Sequence, residues 1–140
     1  MKTIRLILLF ATLAGLATLA RAADAGVKGI LISASNEKGE SDSRLAAYVP
    51  NLKRILRFES FRHLGEDSAS LSVPGSGELS LGNGQTVSLE TENADGKTLL
   101  KVRWGGVRHE YVLQRGGTTV LGGSSTGKKG EVYAVILVGR

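Results

Sequence analysis

Residues 131–138 (EVYAVILV) form an apolar run near the carboxyl end of the chain, and they restrict the possible folds more than any other stretch. A run of this length, rich in Val and Ile and preceded by the turn residues of 127–130, suits a strand covered on both faces. Residues 27–34 (VKGILISA) have the one matching composition. The two segments are expected to pair inside one sheet, so that both ends of the domain meet in its middle.

The amino-terminal stretch reads differently. Lys2 and Arg5 make a basic start, residues 6–20 an uncharged apolar stretch, and Ala20-Arg21-Ala22 a small-x-small cleavage site, with Ala23-Asp24-Ala25 as a second one. This three-part pattern predicts a secretory signal peptide over residues 1–22. At 15 residues this apolar stretch falls short of the roughly 20 that a membrane-spanning helix needs. The expected product is a single domain over 23–140 with no integral membrane segment, exported to the periplasm or the extracellular space.

Charge and cysteine content narrow the function classes. The chain carries 18 basic and 13 acidic residues, but Lys2, Arg5 and Arg21 belong to the leader, leaving 15 against 13, a net charge of +2. The excess is too small to suggest a nucleic-acid partner. With no Cys at all, an exported chain has neither disulfides nor thiolate chemistry, and it must be held by packing and sheet hydrogen bonds.

Between the two apolar segments, one helix and a series of strands are expected. From 44 to 57, Leu45, Val49, Leu52, Ile55 and Leu56 recur at helical spacing, with Lys53, Arg54 and Arg57 in the last turns, where cations suit the helix dipole. Ser41, Asp42 and Ser43 are candidate caps. Pro50 means either a kinked helix or one whose regular part begins at that proline. Residues 58–64 lead into β structure. Strands then follow at 68–73, 78–81, 85–91, 98–104, 107–113 and 118–121, separated by turn signals at 82–84 (GNG), 93–96 (NADG) and 105–106 (GG).

Alternation assigns faces. Leu100, Val102 and Trp104 oppose Lys101 and Arg103, while Val107, Tyr111 and Leu113 oppose Arg108 and Glu110. One side of this meander is buried and the other wet. The expected class is α+β, mainly antiparallel β: a small β-sandwich or partly open barrel of about 7–9 strands with one covering helix near 43–57.

Several local patterns invite a chemical reading. Residues 123–127 (GSSTG) match the nucleophile motif with Ser125 at its centre, but that motif needs a following helix and a downstream histidine, and neither is present. Residues 122–129 (GGSSTGKK) approach a phosphate-binding loop, with Lys129 where the Mg²⁺-holding hydroxyl belongs. Both stretches read better as a Gly/Ser hairpin loop. His63 and His109, with Glu66, Asp67 or Glu110, are the available groups for a metal site or a base, but their spacing fits no known ligand set. His109 is expected as a partly buried structural residue and His63 as a strand residue facing solvent.

Lys53, Arg54, Arg57 and Arg62, near Phe58 and Phe61, form a basic cluster suited to an anionic polymer, with the solvated back of the helix as the plainer reading. Trp104, beside a hairpin tip, either anchors a ligand or packs under the loop. Ligand-binding candidates are therefore Trp104, Tyr111, His109, Arg54, Arg57 and Arg62. No catalytic residue, metal ligand or cofactor is assigned.

The order of parts also carries a resemblance. The leader is followed by ILISASNE, by D-x-R-L-x-x-Y over 42–48, by LKRILRFESFRHL over 52–64, by LGNG over 81–84 and by LGG…GEVYAVIL at the end. This order resembles a group of small, uncharacterised exported proteins of Gram-negative bacteria, across nearly all of 23–140. The resemblance implies an exported β-rich domain working in or beyond the periplasm, with no activity attached. The preferred expectation is a non-catalytic domain that binds another envelope component, a protein partner. The alternatives are a small-molecule or glycan-binding module using the sheet face near Trp104 and Tyr111, and a small hydrolase.

Overall fold

A computed structural model of the chain describes residues 24–37 and 41–140; the expected leader at 1–22 lies outside the described residues. In chain order the elements are β1 (Asp24–Ser35), α1 (Val49–Leu56), β2 (Ser60–Ser72), β3 (Gly75–Gly82), β4 (Gln85–Ala94), β5 (Lys97–Trp104), β6 (Val107–Val112), β7 (Thr118–Ser125) and β8 (Glu131–Gly139). The strands form two antiparallel four-stranded sheets, ordered β2-β1-β8-β7 and β3-β4-β5-β6. The architecture is an α+β sandwich, and its sheets do not close into a barrel.

The two apolar segments pair as expected. β1 and β8 run antiparallel from Val27↔Gly139 to Ser35↔Glu131 in the interior of the first sheet. Because side chains alternate along a strand, each of them supplies two cores. Val27, Leu31, Val135 and Leu137, with Leu71 of β2 and Leu121 of β7, face the second sheet, where they meet Leu79, Leu81, Val87, Leu89, Leu100, Val102 and Trp104. Ile30, Ile32, Ala34, Ala134 and Ile136 face the other way and are covered by Leu45, Leu52 and Phe61. The domain is therefore three layers deep: helix, first sheet, second sheet.

The helical layer resolves the Pro50 alternatives. A single 3₁₀ turn, Ser43–Leu45, precedes α1, and Pro50 stands in the first turn of α1, where no intrahelical N–H is missed. The Asp42 side chain caps the 3₁₀ turn, accepting from Arg44 N at 3.0 Å, and Tyr48 at the N-cap of α1 makes no side-chain bond. None of the three expected caps at 41–43 therefore serves α1. The helix ends at Arg57, whose φ of 57° turns the chain back toward the sheet. The segment before α1 is tied to β2 by Asp42 N donating to Phe61 O at 2.9 Å and Phe61 N donating to Ser41 Oγ at 3.2 Å.

Several boundaries differ from expectation, three of them in Gly-rich or polar stretches. Residues 65–67 do not interrupt the chain's β structure: β2 is one strand of 13 residues, with a bulge at Leu64 where the register slips between Gly65 and His63. The strand expected at 118–121 continues through Gly122, Gly123, Ser124 and Ser125, so the Gly/Ser loop is shorter than its composition suggests. The strand expected at 78–81 begins earlier, at Gly75. In each case Gly or polar residues are held in β conformation by neighbouring strands, which outweigh a weak local preference.

The sheets share one closed side. Gly65 of β2 lies against the Leu81 carbonyl of β3, and a Cβ there would overlap it. Asp67 Oδ2 accepts from Ser80 N at 3.0 Å, so a β2 side chain satisfies a backbone donor on the edge of the other sheet. On the opposite side, β6 and β7 end their sheets and are not hydrogen-bonded to each other.

Candidate functional site

The second sheet has one face against the core and one face in solvent. On the solvent face, the registers line side chains into rows across the strands. One row reads Glu78, Ser88, Arg103, Arg108; the next reads Ser76, Glu90, Lys101, Glu110; a third joins Glu92, Leu99 and Val112. The first two rows line an open groove of about 800 Å³.

Charge is distributed unevenly along these rows. Lys101 Nζ pairs with Glu92 Oε1 at 2.8 Å, and this bond, helped by Glu110 and Glu90, raises the lysine pKa above its ordinary value. Arg103 and Arg108 stand directly opposite each other, and among the described residues neither has a carboxylate within 4.0 Å. Leu113 N donates to Thr98 O, so the hydrogen-bonded positions of β6 are 111, 109 and 107. Arg103 and Arg108 thus form a non-hydrogen-bonded pair, the closer type, with Cα atoms about 4.5 Å apart. Like charges so placed repel, and the arrangement is relieved when an anionic group enters between them.

The residues expected to bind ligand are scattered by the fold. Trp104 is only 4% exposed, packed in the inter-sheet core with Nε1 donating to Gln85 Oε1 at 3.0 Å. The plainer reading, packing under the hairpin, describes its position. Tyr111 lies on the same core-facing side of β6; its hydroxyl is enclosed without a hydrogen bond of ordinary geometry. Burial pushes its pKa up, and the Thr119 side chain pulls it only partly back. The face bearing these two rings is turned toward the other sheet, so the glycan reading gains no exposed aromatic platform there.

The two histidines exchange their expected environments. His109 is exposed, although it shares a face with Val107 and Tyr111, because β6 is the last strand of its sheet and its inner face is only partly covered. Its ring centroid lies 5.6 Å from that of Tyr111. His63 is the enclosed one, with 9% of its side chain accessible and Nε2 3.4 Å from Glu66 Oε1. Glu66 is also held by Lys28 Nζ at 3.0 Å, and that lysine is the main reason its pKa is lowered. The histidines belong to different sheets, and among the described residues no three His, Asp or Glu side chains gather as a metal-binding set.

The basic cluster is also divided. Lys53, Arg54 and Arg57 are exposed at the end of α1, with Lys53 3.7 Å from Glu59 and Arg54 bonded to Asn51. Arg62 pairs in register with Ser33, one residue out of phase with Phe61, so it leaves the first sheet on the side opposite the helix. Ser125 is exposed on the bulged end of β7, where its Oγ accepts from Gly127 N. A smaller hollow of about 370 Å³ beside it is lined by Lys128, Glu131, Tyr133, Thr126, Asn83 and Leu64. Glu131 there accepts from Thr126 Oγ1 at 2.9 Å, a bond that ties the loop to the strand.

Arg103 and Arg108 were legible as wet-face residues from their alternation. What the alternation does not contain is their juxtaposition, which depends on how β5 and β6 align. The helices of the described residues include none long and apolar enough to cross a membrane. Compared with protein-family models, curated proteins and solved structures, the chain matches none at a significant level.

Proposed function

We propose that the protein is an exported, non-catalytic domain that binds another protein of the cell envelope through the solvent face of its second sheet. Export rests on the tripartite amino-terminal pattern of residues 1–22. The binding role rests on one observation: two guanidinium groups, Arg103 and Arg108, are held side by side in an open groove with no carboxylate of their own. An acidic side chain of a partner would accept forked hydrogen bonds there and remove the repulsion in the same step. Glu78, Glu90 and Glu110 border the arginines, which favours a partner carrying both signs of charge over a uniformly anionic polymer such as nucleic acid.

A photo-reactive amino acid at Ser88, next to Arg103 in the row, tests this in cells. The wild-type face should crosslink to one defined envelope protein, and Arg103→Glu should abolish the product while leaving the fold intact. A product that persists in Arg103→Glu, or no product at all, would overturn the reading.

A further inference from the structure

We propose that the free edge of β6 pairs with the β6 edge of a second copy of this chain, making a two-fold dimer with a continuous eight-stranded sheet. The inference rests on the β6 edge; it shares Arg108 with the proposed partner site and leaves Arg103 to it.

Because Val107, His109 and Tyr111 direct their backbone groups at β5, the N–H and C=O groups of Arg108, Glu110 and Val112 point away from the sheet. Among the described residues no backbone group bonds to them. Two copies can join antiparallel only in registers that set outward-pointing residues opposite each other. An axis through Glu110 places two carboxylates face to face and sets Arg108 against Val112. An axis through Arg108 places two guanidinium groups face to face. An axis through His109 sets Arg108 of each copy opposite Glu110 of the other, twice, on the solvent face. On the inner face it sets Val107 opposite Tyr111, joining partly buried apolar groups.

The sign change at a spacing of two therefore selects one self-pairing register and opposes its neighbours. Charged residues on an edge strand commonly block association altogether. Here the pattern also supplies the carboxylate that Arg108 lacks within its own chain, since Glu110 of the second copy arrives beside it.

Sedimentation equilibrium on the purified protein checks the arithmetic. The wild type should be dimeric. Arg108→Glu and Glu110→Arg should each weaken the dimer by about tenfold or more, since two cross-strand pairs change sign at once. The double variant R108E/E110R should restore it. Since the chain has no cysteine, a second test avoids any disruption of charge. In the proposed dimer the two His109 positions face each other with Cα atoms about 4.5 Å apart, within disulfide reach. His109→Cys should therefore oxidise readily to a covalent dimer, and Ser88→Cys should not. A monomeric wild type, a double variant that stays as weak as the single ones, or equal crosslinking at both cysteine positions would overturn the proposal.

Discussion

The Trp104 indole lies directly on Gly123 of β7: a Cβ at Gly123 would overlap Trp104 Cη2 and stand 2.8 Å from Cζ3. The strand that reads as a flexible Gly/Ser loop is thus part of the inter-sheet core, and the missing side chain is what lets the ring fit. Gly123→Ala should cost about 1–3 kcal/mol by overpacking, measured by urea unfolding. Gly106→Ala is the control, since nothing lies within 4 Å of a Cβ there and its φ is not positive; it should change stability by no more than about 0.5 kcal/mol.

Trp104 is the one tryptophan of the chain, so its fluorescence reports on the core directly. Its Nε1 donates to Gln85 Oε1 at 3.0 Å. Gln85→Leu strands that donor in a buried setting and should cost about 1–3 kcal/mol. The emission of the native protein should stay blue-shifted in the variant while the unfolding midpoint falls. An unchanged midpoint would mean that the indole N–H finds another acceptor.

Asp67 joins the sheets by accepting from Ser80 N across their shared side. Asp67→Ala should remove that acceptor and speed hydrogen exchange at the Ser80 amide. Amides in the β1–β8 ladder should keep their protection, because local opening at an edge does not require global unfolding. Exchange that rises equally at Ser80 and Ile136 would show that the bond supports the whole fold.

Acid should loosen the attachment of the helical layer. The Arg44 side chain, bonded to Asp42 at 2.7 Å, holds the Asp42 carboxyl well below the ordinary carboxylate value of 3.8. Lys28 holds Glu66 below its ordinary 4.5. For a group whose pKa is depressed by folding, the stabilisation is present above the unfolded pKa and disappears as pH falls through the folded one. Stability from both residues should therefore be complete at pH 6 and decline below about pH 4. Thermal unfolding of the Asp42→Asn and Glu66→Gln variants should show a smaller drop between pH 6 and pH 3 than the wild type shows. Both carboxylates still reach solvent, Glu66 more than Asp42, so salt should reduce the difference.

The inner strands and the wet and dry sides of the meander can be read from the residues alone. Residues 27–34 and 131–138 announce themselves because a strand covered on both faces is apolar at nearly every position, a pattern that needs no knowledge of its neighbours. Leu100, Val102 and Trp104 against Lys101 and Arg103 is equally self-contained, since period two is a property of one strand. Pro50 limited where α1 could begin for a similarly local reason.

Whatever depends on two strands at once comes from how the strands pair and pack. Gly123 is in a strand because β7 runs along β8, with a ring from the other sheet resting on the glycine, and residues 65–67 are in a strand because they pair with Gly29, Ile30 and Leu31 of β1. The bulge at Leu64 changes the phase of β2 and so puts Glu66 on the same side of the sheet as His63. His109 is exposed because nothing extends past β6, and Arg103 meets Arg108 because of the β5–β6 register. Alternation assigns a side chain to a face, but only pairing assigns it a neighbour, and the candidate site consists of neighbours.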